Sequence, residues 1–74
     1  MKIMVVGGGG REHAIIKKLK ENSKISEIFA LPGNGGMAAD ATCVPIGAKD
    51  IDAIVDFAKA NAIDFAVVAG FLCD

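Results

Sequence analysis

The feature that most constrains this chain is an apolar run, Ile3-Met4-Val5-Val6, that stops at four consecutive glycines, Gly7, Gly8, Gly9 and Gly10, and continues as Arg11-Glu12-His13. An unbroken apolar run bounded by glycine suits a strand buried on both faces of a parallel sheet, here residues 1–6. Residues 12–22 read as a helix: Ala14, Ile15, Ile16 and Leu19 fall on one side, and Lys17, Lys18, Lys20 and Glu21 on the other. Glu12 lies in the first turn and the lysines lie late, the polarity that the helix dipole favours. Strand, glycine turn and helix in that order open an α/β domain.

The remainder repeats the alternation. Residues 26–31, with Ile28, Phe29, Ala30 and Leu31, predict a second strand, followed by the breaker-rich loop Pro32-Gly33-Asn34-Gly35-Gly36. Residues 37–41 have room for one helical turn. Residues 42–46 predict a third strand, and Pro45 places it at a sheet edge. Residues 50–61 predict a second helix, with Asp50 as N-cap and an apolar stripe of Ile51, Ile54, Val55 and Ala58. Residues 64–69 predict a fourth strand. The order β-α-β-β-α-β with right-handed crossovers gives a mostly parallel four-stranded sheet in the order 3-2-1-4, with a helix on each face. The switch point then lies between strands 1 and 4, where the carboxyl ends of strands form a ligand crevice, and the glycine turn sits at its mouth.

With 74 residues the chain is expected to be one domain, 1–74. The formal net charge of −1, with both signs scattered, gives no electrostatic footprint for nucleic acid or a membrane surface. The absence of Trp and Tyr removes the usual stacking platform for single strands. The N-terminal apolar run is too short for a signal sequence or a membrane span, so a cytoplasmic location with free thiols is expected. Cys43 reads as a small core residue and Cys73 as a terminal thiol. The single His13 and the two cysteines lack zinc-site spacing.

The glycine turn is the first candidate for chemistry. Glycines permit close backbone approach to a ligand, the helix that follows offers unpaired N–H groups, and Arg11 adds a bidentate donor for phosphate. A dinucleotide fingerprint is not met. Counting G-x-G-x-x-G from Gly7 puts Glu12 at the last position, and counting from Gly8 puts His13 there. The acidic residue that such a fold carries after strand 2 is replaced by Ala30-Leu31-Pro32-Gly33. A Walker A loop is also ruled out, since no Lys-Ser or Lys-Thr follows the glycines. His13 by itself reads as structural or surface, and no residue is singled out as catalytic. Asn34, in a loop at the carboxyl edge, is balanced between turn residue and ligand contact. Lys17, Lys18 and Lys20 read as a solvated face.

The run from Lys2 to Ala14, with Gly-Gly-Arg-Glu-His at its centre, resembles the start of phosphoribosylamine–glycine ligases, and Pro32-Gly33-Asn34 resembles the loop after their second strand. Val44-Pro45-Ile46 and Asp50-Ile51 have counterparts there too, so the resemblance runs from Met1 to about Val68. It implies the Rossmann-like N-terminal domain that precedes an ATP-grasp module. The family joins glycine to phosphoribosylamine, using ATP, in purine biosynthesis. The resemblance further implies that Gly8, Gly9, Gly10, Arg11, Glu12 and Asn34 face the phosphoribosyl substrate. ATP and Mg2+ (or Mn2+) would be held by the ATP-grasp part, with no cofactor bound by residues 1–74 alone. Ala69-Gly70-Phe71-Leu72-Cys73-Asp74 departs from the family's Pro-acid turn, so a fragment without ligase activity is expected. Such a domain, separated from an ATP-grasp partner, would expose apolar surface and self-associate. Two alternatives stand beside this: a free-standing nucleotide- or phosphate-binding module, and a truncated interaction piece.

Overall fold

The structure, a computed structural model, describes residues 1–68. It contains β1 (Lys2–Gly7), α1 (Gly10–Leu19), β2 (Glu27–Pro32), a 3-10 turn (Met37–Ala39), β3 (Thr42–Cys43), α2 (Ile51–Ala60) and β4 (Phe65–Val67). The four strands form one sheet in the order β3-β2-β1-β4. Every pairing is parallel: Val5 lies opposite Ala30 and Val67, and Ala30 lies opposite Cys43. This is the Rossmann-like order expected from the handedness of the crossovers.

Strand β1 is buried on both faces, as its unbroken apolar run requires, with Ile3, Met4, Val5 and Val6 each 5% exposed or less. Side chains alternate across a strand, so the run feeds two cores. Ile3, Val5, Ile28 and Ala30 meet Ile16 of α1 and Met37 on one face. Met4, Val6, Phe29 and Leu31 form the other, against Ile54, Phe57 and Ala58 of α2. Phe29 and Phe57 pack edge to face, with ring centroids 5.1 Å apart at 77°. Asp64 fixes the start of β4: its N–H donates to the Lys2 carbonyl (2.9 Å) and its carboxylate accepts from the Lys2 N–H (2.7 Å).

Several boundaries and faces differ from expectation. Helix α1 begins at Gly10, two residues early, because the first turn of a helix needs no side chain of its own. It ends at Leu19, and the chain to Asn22 continues as turns, with N–H groups of Glu21 and Asn22 donating to the carbonyls of Lys18 and Leu19. Of its apolar side, Ile16 is fully buried and Ala14 is exposed. Strand β2 is displaced by one residue, and β3 stops at Cys43. Val44 still donates to the Ala30 carbonyl (2.9 Å), after which the chain leaves the sheet at Pro45 and lays Val44 and Ile46 on the α2-side core. Asp50 caps α2 by accepting from the Ala53 N–H at 3.3 Å. The α2 stripe is rotated from the expected one: Ile54, Phe57 and Ala58 face the sheet, while Ile51 and Val55 are 54% and 42% exposed. Residue 69, assigned to the fourth strand, and the thiol of residue 73 lie outside the described residues. Among the described residues no helix is long and apolar enough to cross a membrane.

Candidate functional site

The glycine turn leaves the carboxyl end of β1 and enters α1. Gly7 has φ +140°, a conformation that side-chain-bearing residues rarely adopt. A Cβ there would collide with Glu12, approaching its Cγ to 2.6 Å. At Gly8 the crowding is backbone on backbone, since a Cβ would stand 2.8 Å from the Gly33 carbonyl oxygen. Gly10 has open space on that side. The first two glycines are therefore demanded by the packing of the turn itself. Gly9, Gly10 and Arg11 lie on the solvent side, and Gly9 caps α1 with no side-chain hydrogen bond. The leading N–H groups of α1 thus sit at the carboxyl edge of the sheet, beside the β1–β4 switch point. That is the geometry in which a helix N-terminus attracts an anion.

Glu12 is buried at 9% exposure, folded back beneath the turn with its carboxylate oxygens against Gly7 and Gly9. Arg11 is exposed and makes no ion pair among the described residues. Gly33 donates to the Gly7 carbonyl at 3.1 Å, joining the two loops at the edge of the sheet. The Asn34 side chain adds a second tie. Its Nδ2 donates to the Gly8 carbonyl (2.7 Å), and its Oδ1 accepts from the Met37 N–H (3.0 Å). The six residues expected at the site are thus gathered around one turn, with Asn34 engaged as a latch between loops. The half-buried Cys43 packs beneath, its thiol 3.4 Å from the Asn34 carbonyl.

A further group escaped the sequence. Asp40, 16% exposed, accepts from His13 Nε2 (2.9 Å), Lys20 Nζ (3.0 Å) and Lys17 Nζ (3.2 Å). The His13 hydrogen bond, then those of Lys20 and Lys17, hold the Asp40 carboxyl well below the usual carboxylate range. This fastens the loop bearing Asn34 to α1, and the His13 ring lies against Gly36. His13 is half-buried and engaged with Asp40. Lys17 and Lys20 are ion-paired rather than simply solvated, and Lys18 reaches Glu21 at 3.6 Å. Nothing local in the sequence marks Asp40, which lies 27 positions from His13. Among the described residues no group of three His, Cys, Asp or Glu side chains could hold a metal ion.

Sheet order, crossovers and glycine turn define a Rossmann-like parallel α/β domain that presents a strand-to-helix turn at its carboxyl edge. Comparison with known proteins narrows that class. Residues 1–70 match the family described as phosphoribosylglycinamide synthetase, N domain, and the chain belongs to that family. It is 46% identical over 68 residues to the phosphoribosylamine–glycine ligase of Caldanaerobacter subterraneus subsp. tengcongensis, a match covering 92% of this chain and 16% of that enzyme. The Rhizobium meliloti ligase is 40% identical with the same coverage. The Streptococcus suis ligase is 44% identical over 82 residues, covering 100% of this chain and 20% of that enzyme. The chain thus spans 16–20% of the length of these relatives.

Proposed function

We propose that this domain supplies part of the phosphoribosyl-substrate pocket of a phosphoribosylamine–glycine ligase, which joins glycine to 5-phosphoribosylamine with ATP in purine biosynthesis in the cytoplasm. One observation carries this: α1 starts without a side-chain cap, on exposed glycines, at the carboxyl edge beside the switch point. The N–H groups at Gly9, Gly10 and Arg11 offer donors to a phosphate, and the Arg11 guanidinium adds a charged fork. Gly8 brings its backbone close because no side chain intervenes. Glu12, at the floor of the turn, offers a carboxylate acceptor for a hydroxyl or amine of the sugar. Asn34 keeps the second loop closed over Gly8. ATP and Mg2+ are assigned to parts of the ligase outside these residues.

Titration with ribose 5-phosphate, followed through the amide resonances of residues 8–12, tests this. Saturable shifts there are expected, because the sugar phosphate carries the group that the turn recognises. No shift at millimolar ligand refutes it. Binding of NAD without binding of ribose 5-phosphate would instead identify a free-standing nucleotide module.

A further inference from the structure

Three successive peptide planes make the glycine turn, and each is pinned through its carbonyl. The Gly7 carbonyl accepts from the Gly33 N–H (3.1 Å), the Gly8 carbonyl from Asn34 Nδ2 (2.7 Å) and the Gly9 carbonyl from the His13 N–H (3.1 Å). In a planar trans peptide the carbonyl and the N–H that follows point opposite ways, so a fixed carbonyl fixes the N–H across from it. The three pins therefore aim the N–H groups of Gly8, Gly9 and Gly10. No Cβ flanks any of these planes, so steric resistance to their rotation is small and the hydrogen bonds must supply it. Only the middle plane depends on a side chain, that of Asn34.

Two of the three pins come from the loop at Gly33 and Asn34, which carries Gly33, Gly35 and Gly36 and has little stiffness of its own. Its anchors lie further along. Met37 is completely buried and holds the middle of the segment in the core. An anchor at one point leaves a segment free to turn about it. Asp40 removes that freedom, accepting from His13 Nε2 (2.9 Å), Lys20 Nζ (3.0 Å) and Lys17 Nζ (3.2 Å) on α1 and its C-cap. The chain between Asp40 and Asn34 is short and internally bonded: the Asp40 N–H donates to the Met37 carbonyl (2.8 Å), and the Met37 N–H donates to Asn34 Oδ1 (3.0 Å). His13 serves both ends, its backbone N–H pinning Gly9 and its ring holding Asp40. The contacts close a ring from α1 through Asp40, the 3-10 turn and Asn34 to Gly8, and back into α1.

We infer that Asp40 is a positioning residue for phosphate binding at the glycine turn: by tying the 3-10 turn to α1 it holds Asn34 on the Gly8 carbonyl and keeps the Gly9 N–H aimed outward at the ligand. The inference rests on the reading of the turn as a phosphoribosyl site. Asp40 acts through Asn34 and against its own charge. A carboxylate near an anion site repels the anion, so neutralising it would strengthen binding if long-range electrostatics were its whole effect. Positioning demands the opposite sign.

The test compares wild type, Asp40→Asn, Asn34→Ala and the double variant, each isotope-labelled and titrated with ribose 5-phosphate. Without ligand, Asp40→Asn is expected to shift the side-chain amide of Asn34 and the backbone amide of Gly9. With ligand, it is expected to weaken binding about three- to tenfold. In the Asn34→Ala background the same substitution should change affinity less than about twofold, because the part it acts through is already gone. A residue that only stabilised the fold would leave the affinity of the folded protein unchanged. Circular dichroism verifies folding. If Asp40→Asn does not fold, His13→Ala takes its place with a loss in the same direction, since it removes the shortest contact to Asp40 and keeps the backbone bond to Gly9. Unmoved Asn34 and Gly9 resonances, affinity equal to or above that of wild type, or the same loss with and without Asn34 would each overturn the inference. No binding by the wild type refutes the proposed function and this inference with it, whereas equal binding by wild type and Asp40→Asn refutes the inference alone.

Discussion

Replacing Gly7 by alanine tests the construction of the turn from two directions. The backbone at Gly7 has φ +140°, where a residue with a Cβ bears a strain of about 1–3 kcal/mol. The added methyl also meets Glu12 Cγ at 2.6 Å and Cδ at 2.8 Å. Glu12 is buried on the first turn of α1, and Cγ lies too near the main chain to swing clear, so overpacking adds about 1–3 kcal/mol. Together these give a loss of roughly 2–6 kcal/mol. A domain of this size holds roughly 4–10 kcal/mol in all, so Gly7→Ala consumes a large share. In a Glu12→Ala background the collision is gone but the backbone strain remains, and the cost of Gly7→Ala falls to about 1–3 kcal/mol. Urea unfolding should be followed by far-ultraviolet circular dichroism, because the chain has neither Trp nor Tyr to report by fluorescence. Equal costs in the two backgrounds would show that Glu12 does not lie beneath the turn. A cost below about 0.5 kcal/mol in both would show that the backbone there is not strained for alanine.

Two further substitutions examine the ties around the site. Asp40→Asn removes the carboxylate that His13, Lys20 and Lys17 share, and lowers the melting temperature at neutral pH. The Asp40 carboxyl is depressed on folding, so its contribution is complete above the ordinary value of 3.8 and is lost as pH falls below it. The difference between wild type and Asp40→Asn should therefore narrow as pH drops from about 4 toward 2, and thermal melts across that range check the sign. Asn34→Ala breaks the bonds to Gly8 and Met37 at a cost of about 1–2 kcal/mol. It should shift the amides of Gly8 and Met37 and weaken the ribose 5-phosphate response, read from the urea midpoint and the same titration.

The sheet order was legible because three signals agreed: an unbroken apolar first strand, glycine where it ends, and helices alternating with strands. With strand 4 returning beside strand 1 and a helix on each face, right-handed crossovers give the order 3-2-1-4, and the structure has it. The site was legible as far as it is local. Positions 7–12 are contiguous, and Asn34 belongs to a loop that topology brings to the same edge. Its two side-chain bonds were not legible, since they depend on how closely Gly8 and Gly33 approach. Asp40 was invisible because its partners come from a helix that precedes it by 20 residues or more, and charge pairs at that distance carry no periodic signal. The α2 stripe was misjudged for a related reason. Ile51, Ile54, Val55 and Ala58 form an acceptable helical stripe, but Phe57 packs edge to face on Phe29, and the face it shares with Ile54 and Ala58 is the one turned to the sheet.

The rotation links the two ends of the molecule. The fully buried large side chains, Val5, Ile16, Leu31 and Met37, all belong to β1, α1, β2 and the 3-10 turn, the elements that carry the glycine turn and the Asn34 loop. The three-way contact at Asp40 and the Asn34 latch bind those elements further, so the candidate anion site stands on the tightly packed half. On the other half, α2 turns Phe57 inward and leaves Val55 exposed, and β4 leaves Phe65 and Ala66 exposed. Ile51, Val55 and Phe65 each stay 42% exposed or more, so the apolar burial that holds the domain together is concentrated around the elements that present the candidate anion site.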